Sequence, residues 1–214
     1  MNAFLITWIF PPKITSFLRG VKRFFKNRGI NRGDFEELEG WELFRQSVIG
    51  CESYAEWGSG DSTCYVNDNY NCSVQVAEND KKWAKKIGKM TDENVKIFHI
   101  DLGEVGLWGR PVGYKKAGSF ASYFLAPFSD GFSPDVILID GRFRVACFMT
   151  ALLHAKPGAV IIFDDYTRRQ YYHVVEEVLR PVKIDERQAR FIRPNRVDET
   201  AIAEMLKKFE YVMD

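Results

Sequence analysis

The sequence predicts an α/β fold: a doubly wound, mostly parallel sheet that ends in an antiparallel hairpin. Three observations predict it. Short apolar runs alternate with stretches of helical periodicity, the order that builds parallel sheets from β-α-β units. Two of the runs, "DVILID" (135–140) and "AVIIFD" (159–164), are continuously apolar, as strands covered on both faces are. A glycine-containing turn, "EWGSGDST" (56–63), follows the first run, where open sheets of this kind bind ligands.

Residues 1–33 form a basic arm ahead of the domain, 34–214. Lys13, Arg19, Lys22, Arg23, Lys26, Arg28 and Arg32 all precede the first acid, Asp34, so the net charge of +1 leaves the remainder near −6. That remainder offers no broad nucleic-acid footprint. The apolar run 3–10 is shorter than the ~20 residues of a membrane-spanning helix and has neither a basic lead-in nor a small-residue cleavage site. Beyond Pro11-Pro12, Ile14, Phe17, Leu18, Val21, Phe24 and Phe25 recur at helical spacing among basic residues. Such a face either packs on the domain or on a second copy of the chain, or it lays residues 13–28 on an anionic membrane surface.

In the domain, 34–48 reads as a helix with Phe35, Leu38, Trp41 and Phe44 on one side. "ESYAEW" (52–57) is the first strand, with a short helix from Ser62. "CSVQVAE" (72–78) is the second, followed by a helix over 80–90 with Trp83 and Ile87 inward. "VKIFHI" (95–100) is the third. The connection 101–134 is too long to lack structure in a compact domain, so it carries a lid or a helix. After the fourth strand comes a helix over 143–155, stopped by Lys156-Pro157-Gly158. After the fifth comes a helix over 170–179, then a hairpin within "VKIDERQARFI" (182–192) and a last helix capped by Asp198.

With 46% hydrophobic and 14% aromatic residues, 214 residues suit one packed domain and exclude a disordered chain. Four cysteines without C-x-x-C spacing favour reduced thiols and a cytoplasmic setting.

The glycine turn narrows the ligand. The Rossmann-like dinucleotide fingerprint needs a third glycine where Thr63 stands, and the G-K-[ST] of a phosphate loop is missing. Both absences argue against NAD and a nicotinamide-dependent oxidoreductase. Glu56 and Asp61 flank the turn and would repel a pyrophosphate. They suit a ligand with an ammonium and a sulfonium but no phosphate, which S-adenosylmethionine is. Gly58, Ser59, Gly60, Ser62 and Thr63 would border its methionine end, with Glu56 facing the positive charge. Glu78, with Asn79 beside it, ends the second strand in a position to accept from the ribose hydroxyls. Asp101, past the third strand, would hold the adenine amino group.

Together these residues resemble a class I S-adenosylmethionine-dependent methyltransferase from about residue 52 to 192. "EWGSGDST" resembles the E-x-G-x-G loop of that family, and "VAENDKKWAKKI" its acidic second-strand end. "DVILIDGRFRVACFMTALLHAKPGAVIIFDDY" resembles the fourth-to-fifth-strand unit of the metal-dependent sugar O-methyltransferases of macrocin type. That resemblance implies methyl transfer to a sugar or glycan hydroxyl. It also implies Asp140, Asp164 and Asp165 as ligands of Mg²⁺ or Mn²⁺, with Asp140 bordering the cofactor as well. Three clustered carboxylates need a cation to offset their repulsion, which agrees. Where the family places a second aspartate, a candidate base, this chain has Arg142, which cannot take a proton at neutral pH. The candidates for catalysis are therefore Asp140, Asp165 and His173. Trp108, Arg142, Arg144, Tyr166 and Arg168 are candidate acceptor contacts. The competing readings are the oxidoreductase and a non-catalytic nucleoside-binding module.

Overall fold

The computed structural model describes residues 38–214. The basic arm (1–33), its membrane-facing stretch (13–28) and positions 34–37 lie outside the described residues. Seven strands form one sheet in the order β3-β2-β1-β4-β5-β7-β6. They are β1 (Ser53–Trp57), β2 (Ser73–Glu78), β3 (Val95–His99), β4 (Val136–Ile139), β5 (Val160–Phe163), β6 (Lys183–Ile184) and β7 (Ala189–Ile192). β1 through β5 run parallel, and β7 pairs antiparallel with both β5 and β6. The expected doubly wound sheet with its terminal hairpin is the observed one. The order reverses between β1 and β4, so the crevice opens at the carboxyl ends of those two strands.

Alternate residues of the central strands go to opposite faces, which divides the core in two. Ala55, Trp57, Ile137, Ile139, Ile161 and Phe163 pack beneath α4 (Phe120–Leu125), α5 (Arg144–His154) and α6 (Glu199–Phe209). Tyr54, Val74, Val76, Val136, Leu138 and Ile162 pack on the other face, with α1 (Glu42–Ser47) and α2 (Asp61–Asn69). α5 is apolar nearly all round, and residues 144–152 are all buried, because it is wedged between the sheet and α4 and α6. α6 starts where expected: Asp198 Oδ1 accepts from Ala201 N at 3.0 Å.

Three expectations change in detail. Among the described residues α1 spans only Glu42–Ser47, and Leu38 is 46% exposed, apart from the buried Trp41 and Phe44 expected beside it. The 170–179 helix is a 3-10 segment, Gln170–Glu177. In α3 (Lys81–Met90), Ile87 points inward as expected, but Trp83 is 38% exposed. Its indole Nε1 donates 2.5 Å to Ser59 O of the glycine turn, and that bond draws the ring out of the core. The long connection after β3 is a lid-like loop with a 3-10 turn at Leu107–Gly109, followed by α4. Among the described residues, no helix is long and apolar enough to cross a membrane.

Candidate active site

A cleft of about 1490 Å³ opens at the switch point, bordered by the turns after β1, β2, β4 and β5, the 107–110 loop and residues 211–214. The β1 and β4 turns meet at two glycines. A Cβ on Gly58 would lie 2.9 Å from Gly141 Cα, and one on Gly141 would lie 2.3 Å from Tyr123 Oη. Gly58 also has φ +89°, which only glycine adopts readily. Gly60, by contrast, has no atom within 4 Å of its missing Cβ, so the turn presents bare main chain to open space.

Glu78 fixes that turn. Its Oε2 accepts from Ser59 N (2.9 Å) and Ser59 Oγ (2.8 Å), and its Oε1 from Asn79 N and Asp80 N, both 2.8 Å. Glu78 lies against the cleft, but both oxygens already hold two donors. Glu56 lies behind the turn with no exposure, so it does not face the cleft as expected. The hydroxyls of Tyr54, Ser62 and Thr63 all donate to it, Ser62 at 2.9 Å. Burial pushes its carboxyl up to about 7 against the opposing pull of those hydroxyls. Thr63, where a dinucleotide fold would have glycine, joins this carboxylate to the turn, because its Oγ1 also accepts from Gly60 N at 2.9 Å.

Asp101 is outside the cleft. It is exposed, accepts from Gly103 N at 2.9 Å and pairs with Lys116 at 3.2 Å, and these two contacts hold its carboxyl below the usual range. The residue expected at the adenine thus does not line the cleft. Asn79 borders the cleft and donates to Gly109 O at 2.5 Å, which ties down the loop carrying Trp108. Trp108 forms a wall, as expected for a lining residue, at 89% exposure and φ 58°. Arg142 Nε donates to its carbonyl at 3.1 Å.

Asp140, Asp164 and Asp165 do come together, but not as ligands. Arg144 Nη2 bonds Asp140 Oδ1 at 2.9 Å, and its Nη1 lies 3.8 Å from Asp164 and 3.6 Å from Asp165. Arg187 forks onto Asp164 at 2.7 and 2.5 Å and reaches Asp165 at 3.4 Å. Arg169 pairs with Asp165 at 3.2 Å. Three guanidiniums thus neutralise three carboxylates, and the cation that the repulsion demanded is arginine. No group of acidic, histidine or cysteine side chains with metal-holding geometry occurs among the described residues. With every carboxylate already paired to a guanidinium, this donor set does not fit the expected Mg²⁺ or Mn²⁺.

Burial alone would raise Asp164, yet Arg187, Arg144 and Gln188 together hold it below the usual range. Asp140 goes the other way: enclosure and then the Asp164 charge push it up, against Arg144. Two neighbouring carboxyls are thereby driven apart in affinity for a proton, and the one with the higher affinity borders the cleft.

Arg144, expected at the acceptor, is 3% exposed and belongs to this clamp. Tyr166 is buried and donates to Glu176 at 2.7 Å. Arg168 is exposed away from the cleft. His173 stacks on Tyr166 with ring centroids 4.6 Å apart, and it too is outside the cleft. Tyr166 and Arg168 sit in the turn after β5 and His173 in the 3-10 segment that follows, while Asp165 and Arg169 of the same stretch border the cleft. Sequence spacing alone does not tell these sides apart. Sequence reasoning missed Gly141, Trp83, Arg187 and the 211–214 segment as cleft residues. Only "IDG", with a glycine straight after the strand-end acid, carried a readable signal.

No protein-family model and no curated protein matches the chain. Among solved structures, a methyltransferase-like protein from Silicibacter pomeroyi is 32% identical, with 79% of this chain and 92% of that one aligned at a TM-score of 0.69. An O-methyltransferase from Bacillus cereus in complex with SAH is 17% identical over 94% of this chain and 80% of that one, and its TM-score of 0.43 lends the assignment no weight. The sheet order, the glycine contact at the switch point and the first of these similarities agree: the chain belongs to the family of that methyltransferase-like protein, on the class I S-adenosylmethionine-dependent methyltransferase fold.

Proposed function

We propose that the chain methylates a hydroxyl of a small polyhydroxylated acceptor, a sugar or glycan, from S-adenosylmethionine. The observation that carries this reading is the meeting of Gly58 and Gly141 beside the bare main chain of Gly60. It leaves room at the switch point for a ligand pressed against backbone, with carboxylates in place of phosphate-binding cations. The cofactor would be held by the main chain of 58–60, by Ser62, and by Glu78 with Asn79. For the ribose, Glu78 would exchange the Ser59 hydroxyl for a ribose hydroxyl, keeping its main-chain donors. When bound, S-adenosylmethionine supplies an electrophilic methyl carbon on a positively charged sulfur.

The chain's own task is then alignment and removal of one proton. Asp140, which borders the cleft, would take the proton of the acceptor hydroxyl as that oxygen receives the methyl group, whose bond to the cofactor's sulfur breaks. A carboxylate whose proton affinity is raised is the better base near neutral pH. It replaces His173, which cannot reach the cleft, and no step runs through a metal. The exposed Trp108 and Tyr171 supply flat walls on which a sugar ring can stack.

Calorimetric titration with S-adenosylhomocysteine and with NAD tests the reading. It expects saturable binding of the first alone. NAD binding, or no binding of S-adenosylhomocysteine, overturns it.

A further inference from the structure

Cys51 and Cys72 meet sulfur to sulfur at the amino ends of β1 and β2, the end of the sheet away from the cleft. Their Sγ atoms are 3.4 Å apart, and both are free thiols. They flank the first rung of the β1–β2 ladder, where Ser53 pairs with Ser73 and Ser73 N donates to Glu52 O at 3.0 Å. The main chain around both is tied down. Cys51 N donates to Val48 O at 3.2 Å, and Cys72 O accepts from Asn94 Nδ2 at 2.7 Å. Side-chain rotation is the freedom left to the sulfurs, and a disulfide of about 2 Å asks them to close by about 1.4 Å.

The two thiols are not equivalent. Cys51 is 9% exposed and Cys72 2%, so a small molecule from solvent meets Cys51 first. The hydrogen bond between them lowers the Cys51 thiol from its ordinary value, against burial and the Asp135 charge, and raises Cys72. The thiolate is the reactive form of cysteine, so Cys51 is also the better nucleophile of the pair.

From this we infer that Cys51 and Cys72 are a dithiol site that a hydroperoxide converts to a disulfide in the folded chain, Cys51 being oxidised first and the sheet remaining undistorted. The Cys51 thiolate attacks one oxygen of hydrogen peroxide and breaks the O–O bond. A sulfenic acid forms, and the hydroxide released takes up the proton that Cys51 had lost. The Cys72 sulfur then displaces the sulfenic hydroxyl, which leaves with the Cys72 proton as a second water. The two sulfurs lose two electrons and the peroxide gains them. The new bond closes the segment 52–71, which carries Glu56, the glycine turn and α2, and it restricts the unfolded chain there. None of this depends on the methyltransferase reading.

The test treats the full, reduced chain with hydrogen peroxide in the absence of denaturant, blocks remaining thiols with N-ethylmaleimide and maps the peptides by mass spectrometry. Peptides joined through Cys51 and Cys72 should appear, and dithiothreitol should separate them. Cys147, buried and bonded to Arg142 O at 3.3 Å, should stay a thiol. The joined protein should melt roughly 5–10 °C above the reduced one. In Cys72→Ser, Cys51 should stop at the sulfenic acid and take up dimedone, whereas Cys72 should stay unlabelled in Cys51→Ser. The inference fails, whatever the variants do, if the natural protein forms no joined pair, forms it only after denaturant is added, or links either residue to Cys64 or Cys147 instead. It also fails if the joined protein melts no higher than the reduced one, because the bond would then strain the sheet. Dimedone labelling of Cys72 in Cys51→Ser that is as fast as that of Cys51 in Cys72→Ser overturns the order of oxidation.

Discussion

Gly58 and Gly141 touch backbone to backbone across the switch point, and a methyl group on either would come within 3 Å of the other turn. The contact sets how closely the turns after β1 and β4 approach, and so sets the floor of the cleft. Gly141→Ala is expected to cost about 1–3 kcal/mol through overpacking against Tyr123 and Trp57. Gly60→Ala has room and an extended φ of −178°, so it should leave stability nearly unchanged. Its methyl group would still enter the cleft and weaken S-adenosylhomocysteine binding. Paired melting and calorimetry check the contrast, and equal losses of stability in the two variants would refute it.

Glu78 works first as the anchor of the glycine turn. Glu78→Ala removes the acceptor of four donors, so cofactor affinity should fall by about 1–3 kcal/mol. Hydrogen exchange at Ser59, Asn79 and Asp80 should quicken as well. A loss of affinity with unchanged exchange would mean that Glu78 meets only the ligand and does not hold the turn.

Glu56 makes stability depend on pH. Its carboxyl is raised from 4.5 to about 7 in the folded state. Between those values the folded protein keeps a proton that the unfolded chain has released, so stability falls as pH rises through that window, by about 3 kcal/mol in all. Below 4.5 both states are protonated and the contribution is complete. Denaturant melts from pH 4 to 8 should show the decline in the natural protein, and Glu56→Gln should flatten that part of it. A variant that declines in parallel would place the effect on other groups.

Arg187 and Asp164 form a buried pair in which one partner has no exposure. Arg187→Leu should destabilise the fold by about 3–5 kcal/mol by leaving Asp164 unneutralised, and adding Asp164→Asn should recover part of that loss. Because arginines fill the role expected of a metal, neither EDTA nor Mg²⁺ should move the melting temperature. A rise in melting temperature with Mg²⁺ that Asp165→Asn abolishes would restore the metal site.

The sequence by itself determined the sheet, the order of its elements and the place of the cleft. Those follow from periodicity, from apolar runs at β4 and β5, and from glycines at strand ends, all of which are local along the chain. It also determined that Asp140, Asp164 and Asp165 would lie together, because adjacent parallel strands bring their carboxyl ends into one crevice. The tertiary structure alone decided what neutralises them. Arg187 comes from the hairpin turn, 23 residues from Asp164, and no local pattern marks that approach. It decided too that Glu56 turns inward to three hydroxyls, that Asp101 stays outside, and that His173 lies on the far side of the β5 turn. Direction and long-range partnership depend on how layers pack, and residue spacing carries neither.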